Sequence, residues 1–149
     1  GMQTAVIEYA RDVLGYADAN SGEFTPEGKH KVIDLMPEQE GIEDMGGTMR
    51  LGAYPCVINP DSLMAKAYGQ HEISERHRHR YEFNNDFREE IENAGMKITG
   101  TSPNGLPVEA VEVLDNRFFV AVQYHPEFKS RPNRAHPLFR EFIKASLEK

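Results

Sequence analysis

Between Met96 and Gln123 the chain reads three times in succession as a short apolar strand, "MKITGTS", "VEAVEVL" and "RFFVAVQ". The connections, "PNGLP" and "DN", have turn chemistry and are too short for a crossover helix, which predicts antiparallel pairing. A sheet of this kind must be covered, and the chain supplies a helix at each end. In "GMQTAVIEYARDVL" the residues Met2, Ala5, Val6, Tyr9, Ala10 and Val13 recur at helical spacing and form one apolar face. That stripe begins at once, with no Ser, Thr, Asp or Asn cap and no strand leading into it. In "PLFREFIKASLE" the residues Leu138, Phe139, Phe142, Ile143 and Leu147 are expected to be buried. Mixed elements with a helix packed beside sheet at either end predict an α/β domain.

The segments between are shorter. "KVIDLM" (31–36) is a strand candidate, "PEQEGIEDMGG" (37–47) an acidic loop closed by glycines, and "TMRLGAYPCVI" (48–58) extended chain. A short helix is expected at "DSLMAKAYG", with Asp61 as its cap. "NNDFREEIENAG" reads as a helix with Asn85 before its first turn, Phe87, Ile91 and Ala94 on one side, and Gly95 as terminator. "EISERHRHRYEF" (72–83) has no clear period.

The 149 residues suit a single domain, residues 1–149. A net charge of −7 argues against a nucleic-acid binder, which would carry a basic face. No run of about 18 apolar residues predicts a membrane span, and no signal peptide is visible. One cysteine, Cys56, excludes an internal disulfide framework and fits a cytoplasmic setting.

The chemistry concentrates in "VAVQYHPEF" (120–128). Pro126 cannot donate to a ladder, so a strand ends there. His125 and Glu127 are two residues apart, which in extended chain puts both on one side. Glu127 can then hold one imidazole nitrogen while the other takes a proton from a nucleophile. By itself H-P-E also describes a surface pair at a strand exit. Cys56 does not suit the nucleophile role. A nucleophile elbow needs small neighbours, and Tyr54, Pro55, Val57 and Ile58 are large or rigid. Cys56 reads as a core thiol. In "RHRHR" (76–80), His77 and His79 invite a metal reading and the arginines a phosphate one, but the sequence shows no complete ligand set. A semi-buried strand whose arginines pair with nearby acids is the expectation, with no metal. A base and orienting acid without a nucleophile, and a helix without a front end, share one explanation: the nucleophile stands just before Gly1.

"GMQ" opening a helix, "NSGEF", "GGTMRLG", "ERHRHRYEFNN" and "QYHPEF", in this order, resemble the C-terminal glutamine amidotransferase domain of the CTP synthase family. The resemblance implies a class I glutamine amidotransferase-like, flavodoxin-like three-layer α/β fold, incomplete at its N-terminal side. It places a nucleophilic cysteine two residues before the glycine of "GMQ", so the chain reads as a fragment, inactive alone. It implies that the cysteine attacks the glutamine amide to form a γ-glutamyl thioester, that His125 moves the protons and that Glu127 orients His125. Carried over by position, the L-glutamine pocket comprises Gly1, Met2, Gln3, Glu23 and Arg80. Amides at a helix N-terminus suit an oxyanion, and Glu23 suits the substrate ammonium. Ammonia then passes to a synthetase domain of the same parent chain, where ATP and Mg²⁺ activate UTP for amination to CTP. GTP is the implied activator, with Arg50 in a GTP-responsive lid or simply on the surface. No cofactor is expected in the 149 residues themselves, and the parent is expected to be a cytoplasmic homotetramer. The alternatives are another class I amidotransferase such as a GMP synthetase subunit, a γ-glutamyl hydrolase, or a non-catalytic interaction module.

Overall fold

The expected meander is the centre of the molecule. A computed structural model of the chain describes residues 1–35 and 49–148. In it Met96–Thr101 (β6), Val108–Val113 (β7) and Val120–Val122 (β8) pair antiparallel in sequence order. Gly105, at φ 77°, closes the first turn in a left-handed conformation that its neighbours would adopt only under strain. β8 is shorter than the 117–123 expected. Phe118 and Phe119 lie in the β7–β8 connection, which is longer than the two-residue turn "DN" suggested.

Arg50–Ile58 (β3) and Glu72–His79 (β4) extend this sheet to the order β4-β3-β6-β7-β8, all pairs antiparallel. β3 pairs with β6 only through Val57 and Ile58, which leaves Pro55 free of a ladder bond it could not make on that side. A second sheet joins Asn20–Ser21 (β1), Lys31–Asp34 (β2) and Glu82–Phe83 (β5), in which β1 and β2 run parallel. The acidic loop expected over 37–47 lies outside the described residues.

Apolar residues cover both faces of the large sheet, giving three layers. On one face the helix Met2–Asp12 (α1) buries Met2, Val6 and Ala10 with Val32, Ile33, Phe83, Met96, Ile98, Val108 and Val111. The helix Arg88–Ala94 (α3) adds Ile91 and ends at Gly95, φ 118°. On the other face the helix Leu63–Tyr68 (α2) packs Met64, Ala65 and Ala67 with Cys56, Ile58, Ile73, Ala110 and Leu138, the last from the helix Pro137–Leu147 (α4).

Three local expectations are corrected. Ser62, not Asp61, caps α2, its hydroxyl accepting from the Ala65 amide at 3.0 Å. Val13 falls beyond the end of α1 and is exposed. α4 buries only Leu138, while Phe139, Phe142, Ile143 and Leu147 are exposed. A stripe at helical spacing shows which side of a helix is apolar, not whether anything packs on it. Beside this face β8 is a sheet edge with no partner on its second side among the described residues.

Candidate active site

β8 delivers His125 by a short, anchored path. The Gln123 amide donates to the Glu109 carbonyl at 2.8 Å, Tyr124 is buried, and the His125 amide donates to the Arg76 carbonyl of β4 at 2.9 Å. β8 ends at Val122, ahead of the proline that was expected to stop it, and Pro126 opens a 3₁₀ turn over Pro126–Phe128. The turn brings Glu127 Oε1 to 2.6 Å from His125 Nδ1. Nδ1 is thereby committed and Nε2 remains for chemistry. The imidazole also stacks on Phe128, with centroids 5.0 Å apart. Desolvation pushes the Glu127 carboxyl up, but the hydrogen bond from His125, its own backbone amide and the charge of His125 together outweigh it and hold the pKa below the usual value. The carboxylate is therefore ionised when it orients the ring.

All seven residues nominated from the sequence line one groove of about 1030 Å³. His125 and Glu127 stand on it with Gly1, Met2, Gln3, Glu23 and Arg80. α1 enters with Gly1 as an N-cap that makes no side-chain hydrogen bond, leaving the first-turn amides without intrahelical partners. Gln3 is fixed, its Nε2 donating to the Tyr81 carbonyl at 2.9 Å. Arg80 has a buried Nε without a partner, whereas Glu23 is exposed on the loop after β1. Phe118, Phe139 and Phe142 form an apolar wall.

Cys56 stays outside this groove, buried on β3. Burial first, and then the charges of Glu109 and Glu75, raise its thiol to about 12. A thiol so disfavoured as thiolate is no nucleophile, as the sequence indicated.

The "RHRHR" stretch is organised oppositely to the expectation. Its histidines point in and Arg76 and Arg78 out, with Arg80 half-buried just past the strand, because Ile73, Glu75, His77 and His79 share the buried face of β4. The arginine that meets buried acids is Arg50, which contacts Glu109 directly and lies 3.5 Å from Glu82. Its side chain is only 13% exposed, which excludes the surface reading. Glu109 and Glu112 were the signal missed. "VEAVEV" looks amphipathic, yet both glutamates are 0% exposed. Glu112 accepts from the Leu63 and Met64 amides at the start of α2, at 2.8 and 3.2 Å.

His77, His79 and Glu109 approach closely enough to surround a cation. His77 Nδ1 and His79 Nε2 are spent on each other at 2.8 Å, however, and Arg50 occupies the other oxygen of Glu109. That leaves His77 Nε2 and Glu109 Oε2 facing one another beside a guanidinium, a poor donor set for a divalent metal. A second buried cluster ties the His125 turn to β4. Glu75 Oε1 accepts from Tyr68 at 3.0 Å and lies 2.9 Å from His136 Nε2, and Tyr68 meets Tyr124 at 2.9 Å.

Comparison with known proteins agrees with this geometry. Residues 1–145 match the family described as Glutamine amidotransferase class-I. A CTP synthase from Carboxydothermus hydrogenoformans is 63% identical over 148 residues, and one from Staphylococcus aureus is 58% identical. Those matches cover 99% of this chain but only 28% of the relatives' length. The glutaminase domain of Trypanosoma brucei CTPS with bound acivicin superposes with a TM-score of 0.93 at 43% identity, over 100% of this chain and 58% of that one. No helix among the described residues is long and apolar enough to cross a membrane. With one family matching almost end to end and a fold shared with a solved glutaminase domain, the chain belongs to the class I glutamine amidotransferase family.

Proposed function

We propose that this chain is the base-bearing, glutamine-binding part of a CTP synthase, a ligase that aminates UTP to CTP with nitrogen taken from L-glutamine. The observation that carries the reading is the His125–Glu127 pair, 2.6 Å apart on the groove that also holds the start of α1. Glu127 holds Nδ1–H, so Nε2 accepts the proton of an attacking thiol and returns it to the departing ammonia. The thiol is a cysteine other than Cys56. The free amides of α1 stabilise the oxyanion. Glu23 and Arg80 hold the ammonium and carboxylate of glutamine. Ammonia passes to a synthetase domain, where ATP and Mg²⁺ activate UTP; GTP acts as activator, and the assembly is a cytoplasmic homotetramer.

The test divides the two half-reactions in the longer enzyme. His125→Ala should cut glutamine-dependent CTP formation by the ~10²–10⁴-fold ascribed to a general acid–base. Formation from added ammonia should persist, since free NH₃ bypasses the thioester. Equal loss from both nitrogen sources would make His125 a structural residue and end the assignment. The 149-residue chain alone should release no ammonia from glutamine. Release that disappears in Cys56→Ala would make Cys56 the nucleophile.

A further inference from the structure

Donors and acceptors can be counted along the buried line that runs from Glu109 to the groove. The Tyr81 carbonyl can only accept, so the His79 Nδ1 that meets it at 3.1 Å carries a hydrogen. One hydrogen must also lie between His79 Nε2 and His77 Nδ1, 2.8 Å apart. If it sits on His77, then His77 Nε2 is a bare lone pair facing Glu109 Oε2 at 3.4 Å, and neither atom has another hydrogen-bond partner. If it sits on His79 Nε2, His79 is a cation. Two neutral imidazoles and an ionised carboxylate therefore leave the line one proton short.

We propose that His77, His79 and Glu109 share one trapped proton, resident on Glu109 Oε2, and that the resulting chain positions the Tyr81 carbonyl and, through it, Gln3 at the glutamine pocket. The functional part rests on the glutaminase reading above. The surroundings decide the proton's place. Arg50 on β3 presents its guanidinium to Oε1 of Glu109, and Ser102 donates to the same oxygen at 2.9 Å, so Oε2 is the oxygen left for the proton. Glu82 on β5 lies 3.8 Å from His79 Nδ1, His125 lies beyond β8, and the rings of Tyr54 and Tyr124 close the sides at 5.6 and 5.8 Å. In that enclosure burial pushes both imidazoles down and the Glu109 carboxyl up. His77 and His79 are positioning residues: Tyr81 accepts from His79 on one side and from Gln3 on the other, which joins the end of β4 to the first turn of α1.

Two measurements test this. Ring-¹⁵N spectra of the 149-residue chain, with ¹³C detection of the Glu109 carboxyl, should show His77 and His79 as neutral Nδ1–H tautomers and Glu109 protonated at pH 7. An ionised Glu109 beside two neutral rings would overturn the proton count. So would stoichiometric Zn²⁺ binding that shifts these nitrogens. In the longer enzyme, His79→Asn keeps an amide donor for Tyr81 and should leave KM for glutamine within about threefold. His79→Leu, similar in volume without a donor, should raise KM about tenfold, with ammonia-driven turnover unchanged. Equal KM values in Asn and Leu variants would remove the positioning role. Should the Leu variant not fold, Glu109→Gln decides, because its amide donates to His77 Nε2 as the acid does. A switch of His77 to the Nε2–H tautomer in that variant would refute the placement. An enzyme that never hydrolyses glutamine would defeat the functional reading, while the spectra would still decide the proton count.

Discussion

Acidification should destabilise this protein through two named histidines. Burial and the Arg50 charge lower His77 from the ordinary 6.5 to about 3, and burial followed by Arg50 lowers His79 to about 4. Between those values and 6.5 the unfolded chain binds protons that the folded chain refuses. Stability from each ring is thus present above pH 6.5 and is lost as pH falls toward the folded value. From pH 7 to pH 5 the linkage relation gives about 2 kcal/mol per histidine. Glu109 works in the opposite sense, since its raised pKa contributes stability at low pH that fades as pH rises through the folded value. The net change in the parent chain is therefore smaller than the two histidines alone would give. Comparing pH slopes isolates one ring. Urea unfolding followed by circular dichroism at pH 7 and pH 5 should show His79→Asn losing ~2 kcal/mol less than the parent chain. A variant less stable at both pH values but with an unchanged difference between them would refute the account, because His79 would then titrate equally in both states.

Glu127→Ala should produce the same glutamine-against-ammonia split as His125→Ala but more mildly, roughly tenfold, because it removes only the orienting contact at 2.6 Å. Ser62→Ala should cost about 1 kcal/mol in denaturant unfolding through loss of the α2 cap. Gly100→Ala should cost about 1–3 kcal/mol, since a Cβ there would stand 3.0 Å from Cys56 Sγ and 3.1 Å from Ala110 Cβ; adding Cys56→Ala should recover part of it. Cys56 should resist a disulfide-exchange reagent in the folded chain and react on denaturation.

Much of the site was legible because its members sit in short, local patterns. His125 and Glu127 were paired by their two-residue separation around Pro126, but the contact is made by the 3₁₀ turn Pro126–Phe128 and not by the extended chain that was expected. Gly1, Met2 and Gln3, with Glu23 and Arg80, were nominated through the family resemblance, and all five line the groove. Cys56 was set aside on the bulk of its neighbours, and its burial on β3 agrees. What was not legible depended on partners far along the chain. Arg50 and Glu109 are 59 residues apart, and nothing local in "GGTMRLG" or "VEAVEV" reveals that they meet.

The sequence by itself determined the antiparallel meander and the helix stop at Gly95, and it singled out His125 and Glu127 around Pro126. Each is dictated by backbone chemistry within a few residues: short turns, a left-handed glycine, a proline without an amide hydrogen. Tertiary structure decided which side of each element is dry. The burial of β4 alternates strictly, but only pairing with β3 and the approach of His77 to Glu109 turned its histidines inward and left Arg76 and Arg78 outside. Two glutamates on a valine-rich strand became buried acids because Arg50 and the α2 amides meet them there. Burial depends on what the rest of the chain brings to a face, and a strand with alternating side chains offers two faces to choose from.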